Sequence, residues 1–165
     1  MLFHFYKGFS YGAACTLHTA VVLAGQQGCA AADTGHLLLA MLQTARGPAA
    51  DFLRRKRVTE SALRGCVRAR CCTGQPRSLH KNDLAPETRK AMEFAVLGAH
   101  AASAAKAENE HLLCAMLEDS ACTASVWLAS LGIEVPQAAR ECRQLSGQMV
   151  LPAQPRMAAT RGGKP

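Results

Sequence analysis

Thr34-Gly35-His36-Leu37-Leu38-Leu39-Ala40-Met41-Leu42 and Asn109-Glu110-His111-Leu112-Leu113-Cys114-Ala115-Met116-Leu117 are two versions of one segment, 75 residues apart. The match extends in both directions. Upstream, Ala20-Val21 recurs as Ala95-Val96, Ala24 as Ala99, Ala30 as Ala105 and Ala32 as Ala107. Downstream, Ala49 pairs with Ala124, Phe52 with Trp127, Leu53 with Leu128 and Val58 with Ile133. The offset never slips, so loop lengths repeat along with residue types. A tandem repeat of this length implies two copies of one supersecondary unit packed on each other. It also predicts paired surface grooves.

The chain has 165 residues, of which 49% are apolar but only 5% aromatic. Much of the apolar content is alanine, which favours closely packed helices over sheets. No apolar run approaches the roughly 20 residues needed to cross a bilayer. The opening Met1-Leu2-Phe3-His4-Phe5-Tyr6-Lys7 lacks the long apolar stretch and small-residue cleavage site of a signal peptide. A cytoplasmic location with no membrane association is expected. The fold class expected is all-α, an eight-helix pseudo-twofold tandem of two four-helix repeats. Repeat one spans about 9–72, a linker 73–83 and repeat two about 84–146, with 147–165 a disordered tail or linker.

Within repeat one, Ala13, Leu17, Ala20, Val21 and Ala24 keep the three-four spacing of a buried helical stripe. Gly25 and Gly28 break it, and Asp33 or Thr34 can cap the next helix by accepting a backbone N–H. That helix buries Leu37, Leu38, Met41 and Leu42. Gly47-Pro48 opens a short third helix carrying Phe52 and Leu53 inward, and a fourth runs from about Thr59 to Cys71. Repeat two opens at Leu84-Ala85-Pro86, with a stripe of Met92, Ala95, Val96 and Ala99. Asn109 is expected to cap its second helix, and Trp127, Leu128 and Leu131 to anchor its third. Gly132 suits a left-handed turn residue; repeat one has Arg57 there, a costlier choice if its backbone also needs positive φ. The last helix follows Pro136.

The formal net charge is +7, concentrated in Arg54, Arg55, Lys56, Arg57, Arg64, Arg68 and Arg70. Arg57, Arg64 and Arg68 are expected to share a helix face. That face is read first as solvated, otherwise as a contact for an acidic protein or a nucleic-acid backbone. The eight cysteines show no CxxC pair. Cys15, Cys66, Cys114 and Cys142 fall in helical patterns, where cysteine acts as a small apolar residue, so reduced thiols are expected. Cys66, Cys71, Cys72 and His80 lack zinc-finger spacing, and no metal or cofactor is expected. There is no GxxxxGK[ST], GxSxG or HExxH. Catalysis would have to rest on a thiol such as Cys29, for which no well-spaced base is present. His36 and His111 are expected to be packed structural histidines.

The two T/N-x-H-L-L-x-A-M-L units, the alanine-striped helix before each and the downstream Leu131-Gly132-Ile133 resemble the double Clp-N repeat. This is the amino-terminal domain of ClpA-, ClpB- and ClpC-type unfoldases. Phe9-Ser10-Tyr11 stands where that family's first helix opens, and Leu84-Ala85-Pro86-Glu87-Thr88-Arg89-Lys90 resembles the opening of its second repeat. The resemblance covers roughly residues 3 to 146. It implies a non-catalytic module that binds protein substrates or adaptors for a Clp-type ATPase ring. In ClpC-type relatives each repeat forms a phosphoarginine pocket, with a glutamate for the guanidinium and a hydroxyl for the phosphate. The corresponding pockets here would be degenerate and involve Ser10, Thr34, Gly35, Asn109 and Glu110. Repeat one keeps Ser10 but has Gly35 for the glutamate; repeat two keeps Glu110 but has Ala85 for the hydroxyl. Each pocket is thus expected to have lost a different half, at a cost of roughly 1.5–3 kcal/mol per missing charged partner.

Two functions therefore stand at this point. The first is protein binding for a Clp-type machine. The alternative is a basic helical nucleic-acid-binding protein, weakened by scarce aromatics and the lack of a helix-turn-helix signature.

Overall fold

Two helices of this chain are apolar on every face, and the fold is built around them. They are α2 (Thr34–Thr44) and α6 (Asn109–Glu118), the pair quoted above. Every residue from Thr34 to Leu42 is buried, as is every residue from His111 to Leu117. A helix without a polar face can be satisfied only by neighbours all round. Six further helices supply them: α1 (Tyr11–Gln26), α3 (Pro48–Arg55), α4 (Glu60–Ala69), α5 (Pro86–Ala101), α7 (Thr123–Ser130) and α8 (Val135–Leu145). The structure, a computed structural model, describes residues 6–44, 46–70 and 74–147. Among them there are eight helices and no strand, and no single helix is long and apolar enough to cross a membrane. The tail and the segment 71–73, with Cys71 and Cys72, lie outside the described residues.

The packing repeats with the sequence. Helix α1 lies on α2 as α5 lies on α6, and α4 supports α2 as α8 supports α6. The short third helices cross over: α3 packs on α6, and α7 on α2. The copies are also tied through two isolated bridges, Phe9 with Ala107 and Leu84 with Ala32. In the first, Ser10 N–H donates to Ala107 O at 2.9 Å and Ala107 N–H to Gly8 O at 2.7 Å. In the second, Ala85 N–H donates to Ala32 O and Ala32 N–H to Asp83 O, both at 2.8 Å. Shifting either set by 75 residues gives the other, which is what an approximate twofold axis between the copies requires.

Local chemistry sets the helix starts. The Ser10 hydroxyl accepts the Ala13 N–H at 3.2 Å and the Thr59 hydroxyl accepts that of Ala62 at 3.2 Å. Asp33 caps α2, its carboxylate accepting the His36 N–H at 3.0 Å. In the second copy the cap is Glu108, and Asn109, expected to cap, is instead the first helical residue. Three other expectations are corrected. Leu131 does not anchor α7 but ends it, 38% exposed. The inward stripe of α5 is Thr88, Ala91, Ala95 and Ala99, with Met92 and Val96 only half-buried. Arg57 lies in the turn before α4 with φ 60°, so only Arg64 and Arg68 share a face of that helix.

Candidate functional site

The exposed side of α5 carries two large apolar residues off its buried stripe, Phe94 and Leu97, 54% and 62% exposed. They stand one turn apart and form one wall of a groove of about 1000 Å³. Its floor is α6, through Cys114, Ala115 and Met116, and Arg143 of α8 and the loop Asp119–Cys122 close its ends. Two ion pairs rim it. Lys90 Nζ lies 2.8 Å from Asp119 Oδ2, and Arg143 pairs with Glu118 through two guanidinium nitrogens. The hydrogen bond and charge of Lys90 hold the Asp119 carboxyl below its ordinary range. The rim charges satisfy each other, leaving the centre apolar. Covering the exposed parts of Phe94 and Leu97 returns roughly 1 kcal/mol each. Such a groove fits an apolar polypeptide segment better than a charged ligand.

The residues singled out from sequence lie elsewhere, at two helix junctions. Because each bridge joins opposite copies, the start of α1 meets the start of α6, and the start of α5 meets the start of α2. Ser10 is therefore at the same junction as Asn109 and Glu110, and its hydroxyl donates to Glu108 Oε2. Thr34 and Gly35 share the other junction with Ala85. This corrects the expectation that each site keeps one half. The α1–α6 junction holds both the hydroxyl and the carboxylates, whereas the α5–α2 junction has neither at the expected positions.

The α5–α2 junction is filled from within. Glu87 accepts the Thr34 N–H at 3.0 Å, the Thr34 hydroxyl at 2.8 Å and the Thr123 N–H at 3.0 Å. One carboxylate thus satisfies the first turns of both α2 and α7. The Thr34 hydroxyl in turn accepts the Ala124 N–H at 2.9 Å. Trp127 lies over Gly35 so closely that a Cβ there would come within 2.4 Å of the indole ring. At the α1–α6 junction the equivalent of Glu87 is Gly12, and a Cβ there would meet nothing closer than 3.8 Å. Asn109 is buried with its Oδ1 unpartnered.

Beneath these junctions sit the two histidines. His36 Nδ1 lies 2.8 Å from Asp33 Oδ1 and its Nε2 3.0 Å from Gln27 Oε1. Burial pushes the Asp33 carboxyl up, but His36 and the ion pair with Arg70 outweigh it and hold it below its ordinary value. His111 Nδ1 accepts the Glu108 N–H at 3.1 Å, while its Nε2 is buried without a partner, Ala102 standing in place of Gln27. Both are packed histidines. Among the described residues no three His, Cys, Asp or Glu side chains could hold one metal ion. Cys29 is disulfide-bonded, which departs from reduced thiols throughout and removes it as a nucleophile. Of the basic residues, Arg64 pairs with Glu60, Arg54 with Asp51 and Lys56 with Glu141. Arg57 and Arg68 are exposed.

No family sequence model matches the chain, and no curated protein matches it in sequence. Its structure does match solved ones. The N-terminal domain of the caseinolytic-protease-associated chaperone ClpD from Arabidopsis thaliana superposes with a TM-score of 0.67 at 18% identity, covering 85% of this chain and 95% of that one. The Hsp104 N-terminal domain from Candida albicans gives 0.64 at 18% identity, covering 87% and 94%. That of the ClpV1 ATPase from E. coli gives 0.63 at 20% identity, covering 87% and 89%. The fold is that of a Clp N-terminal domain. Within the Clp-N fold, sequence reasoning missed the groove, Glu87 and the role of Trp127. Phe94 and Leu97 did carry a signal, as large apolar residues outside the buried stripe of a surface helix.

Proposed function

We propose that this chain, to about residue 146, is a non-catalytic protein-binding module that recruits substrates or adaptors to a Clp-type ATPase ring. The observation that carries this is the apolar groove walled by Phe94 and Leu97 on a fold shared with the N-terminal domains of Clp-type chaperones. The groove takes an apolar segment of an unfolded or partly folded polypeptide, and its paired rim charges orient the segment without demanding a charged one. The basic face gives the nucleic-acid alternative little support, since four of its seven cations, Arg54, Lys56, Arg64 and Arg70, already have carboxylate partners.

Fluorescence anisotropy with a labelled, permanently unfolded polypeptide such as casein tests the proposal. Binding is expected in the micromolar range, at least tenfold weaker after the double change Phe94→Ser with Leu97→Ser, and little changed by reversing Arg64 and Arg68. Binding that survives the double change, or vanishes on reversing the arginines, overturns it. Both substituted pairs lie on exposed faces, so circular dichroism should report an unchanged fold.

A further inference from the structure

Cys114 and Cys142 meet where α6 packs on α8. Both are buried, 2% and 0% exposed, and both carry their sulfurs as thiols. Cys142 Sγ lies 3.7 Å from Glu110 O, one helical turn before Cys114 on α6, so the two cysteines share that turn of the α6–α8 contact. The duplication supplies an internal control. The equivalent residues of the first copy are Leu39 on α2 and Val67 on α4, both buried. Apolar side chains therefore meet the packing needs of this position, and sulfur is not required for the fold.

Cys114 also lines the floor of the groove, so a small solute has a path to it. The hydrogen bond from Cys142 holds the Cys114 thiol below its ordinary range, and the same bond together with burial pushes Cys142 up. One sulfur is thereby disposed to attack as a thiolate and the other to follow as a thiol.

We propose that Cys114 and Cys142 are a modification site, forming a reversible disulfide with hydrogen peroxide as the oxidant. The Cys114 thiolate attacks one peroxide oxygen; the O–O bond breaks, and the departing hydroxide takes a proton to become water. Cys114 is left as a sulfenic acid. The Cys142 sulfur then attacks the Cys114 sulfur. The S–S bond forms, the S–O bond breaks, and the hydroxyl leaves with the Cys142 proton as a second water. Two thiols lose two electrons and one peroxide is reduced to two waters. The cystine ties α8 to α6 directly beneath the groove.

The test uses the full chain treated with hydrogen peroxide, unfolded in an alkylating reagent, digested without reduction and sequenced by tandem mass spectrometry. The expected product is a cystine between Cys114 and Cys142 that dithiothreitol removes. Cys142→Val, the first copy's residue, should abolish it. Oxidation of Cys114 without a linked Cys142 peptide in the unmodified sequence overturns the proposal. So does a link from Cys114 to Cys122, or full alkylation of both thiols after treatment.

Discussion

The α1–α6 junction and the α5–α2 junction are one place in two copies, and they are finished in opposite ways. At the second, Glu87 fills the helix starts with its own carboxylate and Trp127 seals Gly35. At the first, Gly12 takes the position of Glu87, Glu110 that of Gly35, and Phe52 that of Trp127. Asn109 Oδ1 there has no partner. A helix start attracts an anion, and supplying one from the chain removes the attraction for any other. The difference teaches that a duplicated unit can keep its fold while its copies finish the same junction with different side chains, Glu87 and Trp127 at one and Ser10 with Glu108 at the other.

The comparison breaks most severely if the α5–α2 junction is given the α1–α6 junction's residue. Gly35→Glu forces a Cβ to within 2.4 Å of the Trp127 ring and pushes a carboxylate into a buried site beside Glu87. Overpacking and an unpaired buried charge together should cost at least about 3 kcal/mol in urea unfolding. Adding Trp127→Phe, the first copy's residue, should restore part of the loss. A single-variant cost below about 1 kcal/mol would show that Trp127 does not close the site.

A smaller loss is expected from Glu87→Ala. The change strips acceptors from Thr34 N–H, the Thr34 hydroxyl and Thr123 N–H at once. A loss of about 2 kcal/mol should appear as an earlier urea midpoint with the slope unchanged. Gly12→Ala at the equivalent position should instead gain about 0.5 kcal/mol, because a Cβ there has room and alanine lowers the entropy of the unfolded chain. Equal effects at the two positions would mean that the junctions are not finished differently after all.

The duplication was legible because its signal is long-range: thirteen and more residue identities at one fixed offset cannot survive a change of loop length. The apolar residues of α2 and α6 gave the core for the same reason, since helices without a polar face must lie inside. The junctions were not legible, because their composition depends on which copy faces which. Reading Ser10 with Gly35 and Ala85 with Glu110 assumed that each repeat builds its own site. The crossed bridges Phe9 with Ala107 and Leu84 with Ala32 pair Ser10 with Glu110 and Ala85 with Gly35 instead. The helical face drawn through Arg57 failed for a local reason: spacing alone does not reveal that the residue lies in a turn ahead of α4.

That same residue offers the finest test of the two copies' equivalence. Arg57 N–H donates to Arg54 O at 2.9 Å and Val58 N–H to Leu53 O at 3.0 Å; Gly132 N–H donates to Ala129 O and Ile133 N–H to Leu128 O, both at 3.0 Å. The turns are alike, and both central residues have positive φ, 60° for Arg57 and 82° for Gly132. A residue with a Cβ pays steric strain there that glycine avoids, set against the larger entropy glycine loses on folding. Arg57→Gly should therefore raise stability by about 0.5–1 kcal/mol, seen as a later urea midpoint, and Gly132→Arg should lower it by about the same amount. If Arg57→Gly destabilises the protein, the arginine side chain makes a contribution that outweighs its backbone strain, and the two turns are equivalent in shape only.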